Sequence, residues 1–124
     1  MFTFRDNTTL HRAVRTFWDA EKTVAAYCHG VAALVDCTPA DGVPLVAGRT
    51  VTGFSDTEED YGDRAAGVRI MPWRAEGALR ERGANYISAG LFKHFAVRDG
   101  RLVTGQQQYS GRKVAQAVIA AVGA

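Results

Sequence analysis

Cysteine is nearly absent from this chain, with two in 124 residues, and proline is scarce, with three. Cys28 and Cys37 are too few for a disulfide framework, and their C-x8-C spacing fits no zinc pattern. Neither basic nor acidic charge dominates: 15 Lys and Arg are interspersed with 13 Asp and Glu, a formal net charge of +2. That balance gives no footprint for nucleic acid or for a membrane surface. No apolar run reaches the length of a membrane span. The first residues lack the apolar core of a signal peptide, and there are no repeats or low-complexity tracts. These absences lead us to expect one domain over 1–124, a reducing, cytoplasmic setting, and a thiol that stays free.

What is present centres on Cys28. The stretch 23–30 reads as a short uncharged strand, a sharp turn and a helix start, with Cys28 on the turn. Ala26 and Gly30 flank it at minus two and plus two, a variant of the nucleophile elbow in which the turn crowds its neighbours. The helix predicted over 30–37 aims free backbone N–H groups at the sulfur and favours the thiolate, the nucleophilic form. A lone cysteine is more often a small buried hydrophobe. Gly30, the apolar run 31–35 and the titratable His29 weigh against that here. The His29 backbone N–H is the natural oxyanion donor of such an elbow.

Elsewhere, Asp6 and Asn7 are capping types ahead of an amphipathic helix marked by Leu10, Val14, Phe17 and Trp18. The uncharged strand 23–27 reads as central in its sheet and covered on both faces. Leu45-Val46 and 50–52 are expected to be short extended pieces. Ser55 or Asp56 caps an acidic helix. Pro72 and Gly83 bracket another that contains Trp73, Ala75, Ala78 and Leu79. A possible strand at 85–87 follows. Asp99-Gly100 signals a hairpin turn. Tyr109-Ser110 precedes a last helix carrying Val114, Val118, Ile119 and Val122. Strands alternating with helices make the class α/β. Glu58, Glu59 and Asp60 form an acid run, usually a solvated face, and spacing alone does not choose among them. A histidine at a helix start often only hydrogen-bonds a loop. As direct neighbours on a helix start, His29 and Cys28 are not expected to face each other. Trp18 and Trp73 read as core anchors, His11 and His94 as structural, Cys37 as helix packing, and 106–108 as a polar loop.

Four stretches in this order, 24–34, 45–59, 83–86 and 99–106, resemble the ThiJ/PfpI superfamily. The resemblance implies a class I glutamine amidotransferase-like (flavodoxin-like) parallel-sheet sandwich. It runs over nearly the whole chain and is nearest the chaperone-type, glutathione-independent glyoxalase branch. By position it carries over a catalytic Cys28, His29 and, five residues after Phe54, Glu59, with Glu58 in reserve. It implies conversion of methylglyoxal to lactate without cofactor or metal: a lyase-type reaction on a small reactive carbonyl compound, through a Cys28 hemithioacetal. His29 then works as acid and base on the substrate, held in its tautomer by Glu59.

The chain departs from the pattern in three places. Val31 stands where proline is common, and Arg74-Ala75 replaces an apolar pair. The opening strand–helix–strand portion, with its own glutamate and oxyanion glycines, has no counterpart. The expectation is therefore an N-terminally truncated domain that self-associates and is inactive or nearly so alone. Two alternatives use the same thiol. One is an amidase or peptidase, although the His-x-Glu of a glutaminase is missing. The other is a non-enzymatic stress-response redox sensor or chaperone, with Cys28 oxidised.

Overall fold

Asn7 opens the first helix. Its side-chain oxygen accepts from the Leu10 N–H at 2.9 Å, satisfying a donor that the helix leaves free. Helix α1 (Thr8–Asp19) follows in a computed structural model that describes residues 2–123. Of its apolar stripe only Trp18 is fully buried, while Phe17 is exposed. Trp18 lies between the guanidinium groups of Arg101 and Arg49, 3.6 and 4.6 Å from its ring centroid. It anchors the core through its faces as well as its area. Trp73 is half-buried and packs against the core beneath Arg5.

Strand β1 (Val24–Tyr27) leads into a 3-10 turn, Cys28–Val31, and then the short helix α2 (Ala32–Val35). The helix expected over 30–37 is thus mostly a tight turn, and it stops before Cys37. Asp36 ends it by turning its carboxylate to Arg5 and Arg82. Cys37 is buried, as expected of a packing residue. Leu45 and Val46 are buried but not extended. They lie in successive turns closed by Ala47 N–H to Pro44 and Arg49 N–H to Val46.

Strand β2 (Thr50–Val51) pairs in parallel with β3 (Asn85–Tyr86). Helices α3 (Asp56–Ala66) and α4 (Ala75–Glu81) lie between them in sequence. Trp73 lies outside α4, whose first residue comes three positions after Pro72. Gly83, at φ 84°, takes the left-handed position just past its end. Strand β4 (Ala96–Asp99) forms an antiparallel hairpin with β5 (Leu102–Gly105), which also pairs in parallel with β1. The hairpin loop is Gly100-Arg101, one residue later than the sequence suggests. Asp99 stays in the ladder because its carboxylate accepts the Thr50 N–H at 2.8 Å, and Gly100 supplies the positive φ of 61°. A second side-chain strut, Thr104 Oγ1 accepting the Thr52 N–H at 2.9 Å, ties β2 to β5.

Side chains alternate along β5. Leu102 enters the main core with Val24, Leu34, Val51 and Leu79, while Val103 and Gly105 turn to the other face. There helix α5 (Gly111–Val122) packs so closely that a Cβ on Gly105 would fall 2.5 Å from Val114 and 2.8 Å from the Tyr27 Cβ. The expectation for β1 is corrected. Among the described residues it ends the sheet order β1-β5-β4, and Ala25 and Tyr27 are exposed. Lack of charge marks a strand whose surroundings are apolar, and it does not count the neighbours present. In the polar stretch 106–108 only Gln108 is exposed. Gln106 and Gln107 are fully buried and clamp the segment before β4, through both Ala89 backbone groups and the Lys93 carbonyl.

Candidate active site

β1 ends where Cys28 takes φ 57°, a left-handed conformation that a side chain rarely adopts. This is the strained turn of an elbow. The crowding expected of the elbow falls elsewhere than predicted. A Cβ on Gly30 would meet nothing within 4 Å, whereas one on Gly53 would sit 2.6 Å from Val31. Gly53 therefore lets the segment after β2 close onto the residues after Cys28, and the Phe54 N–H donates to the Cys28 carbonyl at 3.4 Å.

That approach brings α3 to the site. Ser55 caps it, its hydroxyl accepting the Glu58 N–H while the Glu58 carboxylate accepts the Ser55 N–H. The sequence leaves Ser55 and Asp56 both open as caps, and this reciprocal box with Glu58 selects Ser55. It also sets the two glutamates in different surroundings. Glu58 is fully buried, and its second oxygen accepts the Phe92 N–H at 2.9 Å, holding Phe92 at φ 53°. Every oxygen of Glu58 is engaged in structure. Glu59, one step around the helix and 4% exposed, instead meets His29: Oε1 lies 2.7 Å from Nε2. Neither glutamate belongs to a solvated face. Asp60 does, pairing with Arg74 at 2.7 Å and half exposed.

The structure brings Cys28, His29 and Glu59 into one chain of contacts. Cys28 Sγ and His29 Nδ1 are 3.8 Å apart, so the two neighbours do approach, contrary to the expectation for a regular helix start. The left-handed Cys28 and the 3-10 turn are what swing the sulfur toward the ring. An ionised carboxylate can only accept, so Nε2 carries the hydrogen toward Glu59 and Nδ1 faces the sulfur. Burial works against charging His29, but its hydrogen bonds to Cys28 and Glu59 outweigh that, pushing its pKa up to about 9. Sequence reasoning passed over Phe54 as a site residue. Its ring lies against the imidazole, centroids 4.1 Å apart and planes 31° from parallel. Among the described residues no cluster of three or more His, Cys, Asp or Glu side chains could hold a metal ion, and no helix is long and apolar enough to cross a membrane.

No protein-family model matches the chain. Individual proteins do. Glyoxalase 3 of Candida albicans is 34% identical over 130 residues, covering 98% of this chain and 52% of its own length. The glutathione-independent glyoxalase HSP31 of Saccharomyces cerevisiae is 34% identical over 99 residues, 74% of this chain and 40% of its own. Among solved structures, glyoxalase III from Candida albicans superposes with a TM-score of 0.85 at 31% identity, over 97% of this chain and 52% of that one. A ThiJ/PfpI domain protein from Brachyspira murdochii shares the fold, with a TM-score of 0.67 at 21% identity over 98% of this chain and 53% of that one. The chain spans about half the length of the curated relatives it matches. With the elbow, the parallel β1–β5 pair and these likenesses together, the chain belongs to the ThiJ/PfpI superfamily, with its class I glutamine amidotransferase-like fold and its glutathione-independent glyoxalase relatives.

Proposed function

We propose that this chain carries the acid–base and nucleophilic machinery of a glyoxalase-like enzyme that converts methylglyoxal to lactate. The observation that carries the reading is the Cys28–His29–Glu59 relay, at 3.8 and 2.7 Å. The catalytic residues in this proposal are Cys28 and His29, with Glu59 orienting the ring. Both cysteines are free, as a nucleophilic thiol requires, and a reducing, cytoplasmic compartment would keep them so.

The steps follow from the geometry. The Cys28 thiolate adds to the aldehyde carbon, and the new oxyanion forms beside the His29 backbone N–H. The imidazolium, charged at neutral pH because of its raised pKa, gives the Nδ1 proton to that oxygen and becomes neutral. Neutral His29 then takes the proton from the carbon bound to sulfur, leaving an enediolate. It returns the proton to the adjacent carbon, while the hydroxyl proton on the first carbon passes to the second oxygen. The product is a lactoyl thioester. Water cleaves its C–S bond to give lactic acid and the thiol; the thiol proton returns to Nδ1, restoring the thiolate–imidazolium pair, and the acid releases its own proton to solvent as lactate. One water is consumed and no electrons leave the system, so neither cofactor nor metal is required. Glu59 holds Nε2–H throughout, which keeps Nδ1 as the working nitrogen.

The reading extends to assembly. β1 is apolar, lacks charge and proline along its edge, and has one strand neighbour among the described residues. Such an edge pairs with other chains, and we propose that the chain self-associates through it. The function is tested by incubating the chain with methylglyoxal and following lactate enzymatically. Turnover in the wild type is expected to be slight, in keeping with the expectation from the sequence, and to disappear in Cys28→Ala. A rate no higher than that of the Cys28→Ala chain would overturn the proposal.

A further inference from the structure

Phe54 touches two members of the relay. Its backbone N–H donates to the Cys28 carbonyl at 3.4 Å, and its ring lies over the His29 ring, centroids 4.1 Å apart and tilted by 31°. The next residue, Ser55, caps α3, and its carbonyl accepts the Glu59 N–H at 2.9 Å. One short segment thus fixes the nucleophile's backbone, the face of the imidazole and the start of the helix that delivers the carboxylate. Phe54 itself is 9% exposed, so its ring has little freedom to move away. The close approach is permitted by Gly53, where any side chain would strike Val31.

We propose that Phe54 is a positioning residue for His29, its aromatic face holding the charged imidazole in the plane that joins Glu59 to the Cys28 sulfur. The inference rests on the reading of His29 as the acid–base group of the site. A phenyl face is negative, and a cation within about 6 Å of its centroid is attracted to it. The ionisable groups recorded on the ring are the Cys28 sulfur at Nδ1 and the Glu59 carboxylate at Nε2. Both sit at the ring's edge, and Phe54 lies across a face. The Cβ tether and the edge contacts set the plane of the ring, and the stacked phenyl adds support across its face.

Two roles for Phe54 predict opposite signs. If Phe54 only excludes water, burial disfavours the imidazolium, and replacing the phenyl leaves the His29 pKa unchanged or higher. If the aromatic face stabilises the cation, a non-aromatic side chain of similar bulk lowers it.

The experiment is an NMR titration of the His29 ring in wild type, Phe54→Leu, Phe54→Tyr and a chain with pentafluorophenylalanine at position 54. The fluorinated ring keeps the shape and reverses the charge of the face, so it decides the matter even if Phe54→Leu folds poorly. The expected result is a fall from about 9 to about 8 in the leucine and fluorinated chains, with Phe54→Tyr staying near the wild type. An unchanged or raised value in the fluorinated chain would overturn the proposal. The titration needs no substrate, so a chain without methylglyoxal turnover would sink the functional reading and leave this result standing by itself.

Discussion

The turn at Cys28 separates two regions built on different terms. Downstream, the site satisfies itself: Glu58 is engaged by Ser55 and Phe92, Glu59 by His29, and His29 by Cys28 and Phe54. Upstream, β1 pairs on one side only and leaves Ala25 and Tyr27 exposed. An apolar groove of about 310 Å³ runs beside it, lined by residues such as Phe4, Leu10, Val14 and Leu34. The contrast sharpens against β5, the parallel neighbour of β1, whose four residues are all buried between two partner strands. Polar groups close to one another in the chain can complete each other locally. An apolar strand cannot, because what it needs is a second surface.

The largest effects should come from the two adjacent glutamates, which break the downstream region in different ways. Glu59→Gln should lower any methylglyoxal turnover by about two to four orders of magnitude, since the ring keeps its place but loses its orienting carboxylate. Its melting temperature should change little at pH 10, above the His29 pKa of about 9, where no charge on the ring needs the carboxylate. Glu58→Gln should do the reverse. It sets an amide N–H against the donors that the buried carboxylate now accepts, costing about 1–3 kcal/mol of stability, with the smaller effect on turnover. Parallel kinetics and thermal melts of both variants are the check, and equal effects in both assays would erase the distinction.

A smaller effect concerns pH. His29 has a folded pKa of about 9 against 6.5 for the unfolded group. Between those values the native state binds more protons. The stability that His29 contributes is therefore complete below about pH 6.5 and is lost as pH rises through 9. Urea unfolding from pH 6 to 10 should show this decline, and Glu59→Gln should flatten it. A wild-type profile that rises across that window would contradict the relay.

The smallest change in stability belongs upstream. Ala25→Lys puts a charge on an exposed position of β1 and should alter folding stability by no more than about 0.5 kcal/mol. It should nevertheless shift sedimentation toward monomer by guarding the open edge. A monomeric wild type, or an oligomer indifferent to the lysine, would show that β1 is not a contact between copies.

Much of the local structure was legible because it is local. The hydrophobic spacing of α1, the cap of α3 and the glycine of the hairpin each act within a few residues. Cys28, His29 and Glu59, and the hold of Glu59 on the His29 ring, could be nominated from the elbow and the resemblance, but neither the approach of the Cys28 sulfur to that ring nor the closure through Gly53 that brings Glu59 there could be read from spacing. Phe54 stayed invisible for the same reason. The burial of Gln106 and Gln107 was not legible, because their polarity says nothing of the distant backbone groups of Ala89 and Lys93 that they pair. The hairpin turn moved by one residue because Asp99 had a distant donor to satisfy in Thr50.

The left-handed backbone of Cys28 carries one last consequence. A conformation that costs a side-chain-bearing residue about 1–3 kcal/mol is one that glycine adopts freely. At this position the residue most comfortable for the backbone is one with no sulfur at all. Drift toward robustness and retention of the thiol therefore pull against each other at a single codon. A lineage that ceased to need the thiol would have a physical incentive to lose it first.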